Sequence, residues 1–273
     1  MRRGGPRHAG PVPAGRAVRP GLHEGPCRTR TCQPRGPRRG NPEDGGLAPG
    51  SGRVSPPTAV VFDLDGVVVD SEPAIRASLD AALLSIGESS ADDSELRSII
   101  GPPLLAGLSS LLEGRGLSLG LARRLLDEYR LDYAAHSAAN TFVYEGIVEA
   151  LVALMDAGVR LAIATSKPMQ FSLPILEQIG IADSFEVVEA PDVAALSESK
   201  TETLGRALVR LDLTGVAGVP MVGDRRPDIE AAIAHSLVPV GALWGYGSRS
   251  ELADAGAARL LESPHDLYEF VMS

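Results

Sequence analysis

VVFDLDGVVVDSEP, residues 60–73, runs apolar to Asp63, passes Leu64, reaches Asp65 and turns at Gly66. The stretch from Thr58 to Leu64 is short, continuous, β-branched and aromatic, which predicts a buried strand. Two carboxylates two residues apart at the end of such a strand are costly to desolvate unless a cation sits with them. The rest of the chain has to supply that partner.

Beyond Ser71 the period changes. Residues 72–87 carry apolar side chains at spacings of three and four, with Pro73 early and Gly87 at the end, which predicts a helix. A short helix over 92–99, an IGPP break that ends at Pro103, and helices over 103–113 and 119–135 follow, with no strand expected before about residue 140. From Gly146 helices and strands alternate: helix 146–157, strand 159–165, helix 169–179 interrupted or restarted at Pro174, strand 185–189, helix 199–211, strand 218–222, helix 227–235, strand 237–242, helix 249–255 and strand 258–261. Alternation of this kind builds a parallel sheet wrapped by helices, with ligands at the carboxyl ends of the strands. The expected fold class is therefore α/β, a Rossmann-like core over 57–71 and 145–273 with an all-helical cap inserted at 72–144.

Composition narrows the function classes. The chain of 273 residues is 44% hydrophobic and 22% charged, enough to bury a core. No apolar run approaches the roughly 20 residues of a membrane helix. The net charge of −9 argues against general nucleic-acid or anionic-membrane binding. Residues 1–57 differ from the rest, with 11 Arg against 3 acidic residues, 11 Pro, 12 Gly and almost no aliphatic side chains. A disordered Arg/Pro/Gly-rich extension is expected over 1–56. It holds both cysteines, Cys27 and Cys32, too few ligands for a metal site. No apolar secretory segment is visible, so a cytoplasmic location is the expectation, as a monomer or weak homodimer. Of 26 basic residues only Lys167 and Lys200 are lysine, so each invites a reason specific to an ammonium group.

Four segments carry the candidate chemistry. The first strand ends at Asp63-Leu64-Asp65-Gly66 and the second at Thr165-Ser166-Lys167-Pro168. A helix opens with Glu198-Ser199-Lys200-Thr201, and the fourth strand ends at Gly223-Asp224-Arg225-Arg226-Pro227-Asp228. In a parallel sheet these converge on one edge. Carboxylates 63, 65, 224 and 228 are hard oxygen ligands suited to Mg²⁺. Hydroxyls at Thr165 and Ser166, loop amides and Lys200 suit a phosphoryl group. Asp63 is placed to attack phosphorus in line, and Asp65 to act as acid and then base. A DxD pair alone is most often a solvated loop, a Thr-Ser after a strand a helix cap, and GDxxxD a turn and N-cap. The functional reading rests on all of them in this order on these strand ends.

That order resembles the haloacid dehalogenase superfamily of phosphatases, in the branch whose helical cap lies between the first and second motifs. DLDGVVVDSEP, IATSKP, Lys200 and VGDRRPDIEAA stand as its four motifs, over about residues 57–273. The resemblance implies Asp63 as nucleophile and Asp65 as acid/base, with Thr165 and Lys200 on the phosphoryl group. It implies Mg²⁺ on Asp63, the Asp65 carbonyl and Asp224, with Asp228 as a metal or supporting carboxylate. Asp65 speaks for phosphoryl chemistry over dehalogenation, and the lack of lysine in residues 71–144 removes a Schiff-base phosphonatase. LRSIIGPPL, VYEGIVEAL and WGYGSRSEL are similar to phosphoglycolate phosphatase-like and 5′-nucleotidase-like hydrolases, so the expected substrate is a small phosphorylated metabolite. A sugar-phosphate mutase and a non-catalytic phosphate-binding protein are the alternatives. Ala231-Ala232 and Ser236 depart from the Gly-Ala and Gly of related sequences, and EAPDVAALSESK lacks the glycine usual before the third-motif lysine.

Arg76, Arg97, Tyr129, Arg130, Tyr144 and the IGPP turn are the cap's candidates for substrate contact; Trp244 and Tyr246 either line a base or sugar or brace their loop. Removing residues 1–55 is expected to leave hydrolysis intact, checked by phosphate release from the truncated chain; loss of function would move it to the basic extension.

Overall fold

A computed structural model describes residues 57–273 except 101–102 and 195–197. The extension expected over 1–56, with its two cysteines, lies outside the described residues, as do Gly101 and Pro102 of the IGPP turn. Six strands form one parallel sheet: β1 (Ala59–Phe62), β4 (Arg160–Ala164), β5 (Val187–Glu189), β6 (Pro220–Gly223), β7 (Val238–Ala242) and β8 (Arg259–Leu261), in the order β5-β4-β1-β6-β7-β8. A short pair, β2 (Val69–Asp70) and β3 (Phe142–Val143), stands apart from it.

The strands alternate across the sheet because successive side chains point to opposite faces. Val60 and Phe62 join one apolar cluster with α5 (Ile147–Asp156), α6 (Met169–Gln178) and α10 (Asp266–Met272). Ala59 and Val61 join the other with α7 (Lys200–Arg210) and α8 (Arg226–Ala234). Helix α9 (Arg249–Ala255) precedes β8. The sheet is covered on both faces, as an all-parallel sheet has to be. Taking the six strands in chain order, the winding reverses between β1 and β6, the place where doubly wound sheets open a crevice at their carboxyl edge.

Between β2 and β3 the chain forms α1 (Glu72–Ser85), α2 (Asp93–Ile99), α3 (Leu104–Gly114) and α4 (Ala122–His136). These helices bury their apolar stripes against one another in a third cluster, which also takes Phe171 from α6. The capping box of Asp92 and Glu95 starts α2. The helical insert leaves and rejoins the sheet domain through an antiparallel ladder, Val69 facing Val143 and Asp70 facing Phe142. This ladder places a strand, Phe142–Val143, just past the stretch to about 140 expected to lack one and inside the 72–144 insert expected to be all-helical, which corrects that expectation. Two residues per strand are too few to show alternation. Helix α6 runs continuously through Pro174, also contrary to expectation. Pro174 lies on its exposed face, so the ring disturbs solvated backbone rather than packed side chains.

Ser236 closes α8 with φ +59°, the left-handed conformation that favours glycine. Its amide donates to Ile233 and that of Leu237 to Ala232. Ser236→Gly is expected to stabilise the protein by about 1 kcal/mol, a rise of roughly 2–4 °C in Tm, measured by thermal unfolding. An unchanged or lower Tm would show that Ser236 holds its turn without strain.

Candidate active site

Asp63 follows β1 and Asp224 follows β6, so the reversal of the winding brings both to one crevice. The Asp63 amide still donates to the Val222 carbonyl, which continues the ladder for one residue. The chain then coils: the amides of Val68 and Val69 both donate to Leu64 O at 3.0 Å, and Gly66 takes φ +79°. A side chain at Gly66 or Gly245 would collide with Asp224, so these glycines let two loops close around a buried carboxylate. On α7, a capping box between Ser199 and Glu202 fixes Lys200 as the first helical residue.

Lys200 Nζ lies 2.6 Å from Asp63 Oδ1 and 2.8 Å from Asp228 Oδ1, buried between them. Burial opposes its charge, but the Asp228 and Asp63 carboxylates outweigh that and hold it above the ordinary lysine range. Burial, with help from Asp228 and Asp65, raises Asp63 to about 6 against the pull of Lys200. Asp224 is raised well above the usual carboxylate range by burial and by the neighbouring Asp228 and Asp63. Asp224 Oδ2 accepts from the Tyr246 amide at 2.7 Å, while the buried Oδ1 has no partner among the described residues.

Asp65 sits differently. Its Oδ1 accepts from Ser71 Oγ at 2.5 Å and Lys167 Nζ at 2.7 Å. Lys167 also lies over the Tyr133 ring, 5.0 Å from its centroid. Buried Thr165 accepts the Lys167 amide on Oγ1, and exposed Ser166 lines the same cavity. That cavity, about 530 Å³, joins Asp63, Asp65, Lys200, Asp224 and Asp228 to the helical insert.

The residues present fit a divalent cation. Asp63, Asp224 and Asp228 each offer an oxygen within 4.8 Å of the others, and the orphaned Asp224 Oδ1 is a donor awaiting one. Four carboxylates face two lysines here, so the acidic groups outnumber their ammonium partners. Asp65 lies outside this trio, its carboxylate committed to Ser71 and Lys167. Asp228 is also engaged, with Oδ2 accepting the Arg225 amide at 3.0 Å.

Sequence reasoning named no partner for Lys167 and passed over Ser71. The resort to lysine in an arginine-rich chain was the one available signal for Lys167. Tyr246 both lines the cavity and braces the entry to the insert: its hydroxyl accepts from the amides of Ser71 (2.8 Å) and Glu72 (3.1 Å) and donates to Asp70 at 3.0 Å. Trp244 braces, donating from Nε1 to Val67 O. Among the insert's candidates, Tyr129, Arg130 and Ile100 of the IGPP turn line the cavity. Arg76 is instead paired with Glu72 and Asp93, Arg97 is exposed, and Tyr144 packs on the sheet's apolar cluster.

The sequence profile of the haloacid dehalogenase-like hydrolases matches residues 60–240. The chain belongs to that family. The tyrosine-protein kinase PtkA of Mycobacterium tuberculosis is 37% identical over 198 residues, 72% of this chain and 66% of PtkA, so the chain spans just under two thirds of that relative. A phosphoglycolate phosphatase of Pseudomonas syringae is 30% identical over 215 residues, 76% of each chain. The crystal structure of a predicted phosphatase from Clostridium acetobutylicum superposes with a TM-score of 0.70 at 31% identity, covering 79% of this chain and 98% of that one.

Asp63 and Asp224 retain protons at pH values where the unfolded chain, near the ordinary carboxylate value, has lost them. Their contribution to metal-free stability is therefore expected to fall as pH rises above about 4, through about 6 for Asp63. Mg²⁺ held by these carboxylates would compete with those protons, so it is expected to raise Tm more at pH near 7.5 than near 5. Equal shifts at both would place the ion elsewhere.

Proposed function

We propose that the protein is a Mg²⁺-dependent phosphomonoester hydrolase acting on a small phosphorylated metabolite through an aspartyl-phosphate. The observation that carries this reading is the unequal environment of two carboxylates two residues apart. Asp63 lies with Lys200 beside Asp224 and Asp228, while Asp65 is held apart by Ser71 and Lys167. Two like groups given two environments are what divided nucleophile and acid/base roles require.

In the first half-reaction Asp63 attacks phosphorus, the bond to the leaving oxygen breaks, and Asp65 gives that oxygen a proton. In the second, Asp65 takes a proton from water, the water oxygen bonds to phosphorus, and the bond to Asp63 breaks to release phosphate. Among the described residues, the Leu64 amide and Lys200 Nζ both meet Asp63 at Oδ1, which directs Oδ2 to the attack. Thr165, Ser166 and Lys200 hold the phosphoryl oxygens, and Lys200 keeps its charge throughout. Asp63, the Asp65 carbonyl and Asp224 would hold the Mg²⁺ with Asp228 in support, and the ion supplies charge neutralisation between carboxylates and phosphoryl group. The roof provided by the insert excludes bulk water during transfer.

A second reading has one observation in its favour, the 37% identity to a protein named tyrosine-protein kinase. There the phosphoryl group would pass to a tyrosine hydroxyl instead of water. Both readings need Asp63, and the acceptor separates them.

Phosphate release is to be measured with Mg²⁺ and with chelator on phosphoglycolate, nucleoside monophosphates and sugar phosphates, beside ATP with a tyrosine peptide. Mg²⁺-dependent release is expected. Asp63→Asn should lower turnover more than about 10³-fold with the fold intact by circular dichroism, and Asp65→Asn by about 10²–10⁴-fold. Comparable activity in Asp63→Asn would sink the mechanism, and label on the peptide would favour the kinase.

A further inference from the structure

The cavity has two unlike halves. Its floor is the polar edge already described. Its roof is apolar, made by Ile75 of α1, Leu104 and Leu105 of α3, Tyr129 and Tyr133 of α4, and Phe171 of α6. Tyr129 and Tyr133 stack at 5.4 Å with 12° between their planes, and Phe171 meets Tyr133 edge-on. Of the insert's residues that line the cavity, Arg130 is the one that is charged, among the described residues.

Arg130 is half-buried and gives one Nη2 hydrogen bond to Val193 O at 3.1 Å. It has no carboxylate partner among the described residues, whereas Arg76 and Arg115 on the same insert each have two. Burial, with Arg123 nearby, lowers its pKa, as expected for a guanidinium lacking a counter-charge. An arginine so placed favours an acceptor brought by a ligand.

The volume, about 530 Å³, falls in the range that encloses a drug-sized molecule. A phosphorylated two-carbon acid would occupy the polar floor and leave water against the apolar roof, an unfavourable contact. A flat ring would cover that roof and exploit the aromatic stack.

We propose that the leaving group is a ring-bearing alcohol, aromatic or heteroaromatic, packed against the apolar roof with Arg130 on an acceptor of the ring. This rests on the hydrolase reading above and narrows its substrate class.

The test is kcat/KM for the full chain on nucleoside 5′-monophosphates and free O-phosphotyrosine, beside phosphoglycolate, glycerol phosphate and acetyl phosphate. Acetyl phosphate reads the transfer machinery with no ring to recognise. At least one ring-bearing substrate is expected to exceed phosphoglycolate and glycerol phosphate by about a hundredfold, the scale of burying one ring. Arg130→Ala is expected to lower the ratio of kcat/KM between that substrate and acetyl phosphate about tenfold, mostly through KM, and Arg130→Lys to restore part of it. A preference for phosphoglycolate, or an Arg130→Ala effect that lowers kcat equally on every substrate, would overturn the assignment. Hydrolysis of acetyl phosphate without preference for a ring would overturn it while sparing the hydrolase reading. Failure to hydrolyse any of them would take both down.

Discussion

Four carboxylates crowd one edge of a parallel sheet, and the site is organised by the need to compensate them. Asp63 and Asp65 follow β1, Asp224 follows the adjacent β6, Asp228 stands in the first turn of α8, and the chain's two lysines are the ammonium groups set against them. Lys200 spans Asp63 and Asp228; Lys167 serves Asp65 alone. The compensation is incomplete, and the remainder appears as the raised proton affinity of Asp63 and Asp224 and as an oxygen of Asp224 without a partner among the described residues. A group that is uncomfortable without a ligand is ready to bind one. The stability given up at these carboxylates is free energy that a bound cation would recover in part.

The helical insert is tied to this edge through the same polar groups. Ser71 touches Asp65 on one side and, by its amide, the Tyr246 hydroxyl on the other. Tyr246 belongs to the loop that also grips Asp224 through its amide. The start of α1, the proposed acid/base and the proposed metal carboxylate thus share one short run of hydrogen bonds. Two guanidiniums add contacts across the crevice, Arg130 from the insert to Val193 and Arg225 from the sheet domain to Ile100.

Much of the fold was legible in the sequence because its elements are regular. The apolar run before Asp63, the alternation after Gly146 and the helical spacing beyond Ser71 each repeat often enough to be read, and they yield the α/β class. The β2–β3 ladder has two residues per strand, too few for a period. Pro174 reads as a break in any sequence, and its exposed setting is a tertiary fact. At the candidate site, residue types and order were legible and contacts were not. The Lys167–Asp65 pair spans 102 positions and the Ser71–Tyr246 bond 175. For the insert's arginines, helical spacing assigns a face without a partner, which is why Arg76, held by Glu72 and Asp93, reads from sequence just as Arg130 does.

The scarcity of lysine has a consequence for covalent chemistry. Side-chain amines are the usual targets of acylation, glycation and ubiquitin-like conjugation, and most proteins carry many of them on the surface. Here both are buried at the candidate site, with 4% and 6% of their side chains exposed. The outside of the folded domain is therefore nearly inert to amine-directed reagents. Any modification that reaches a lysine of this chain has to enter the crevice, and it would strike one of the two cations that hold the carboxylates together.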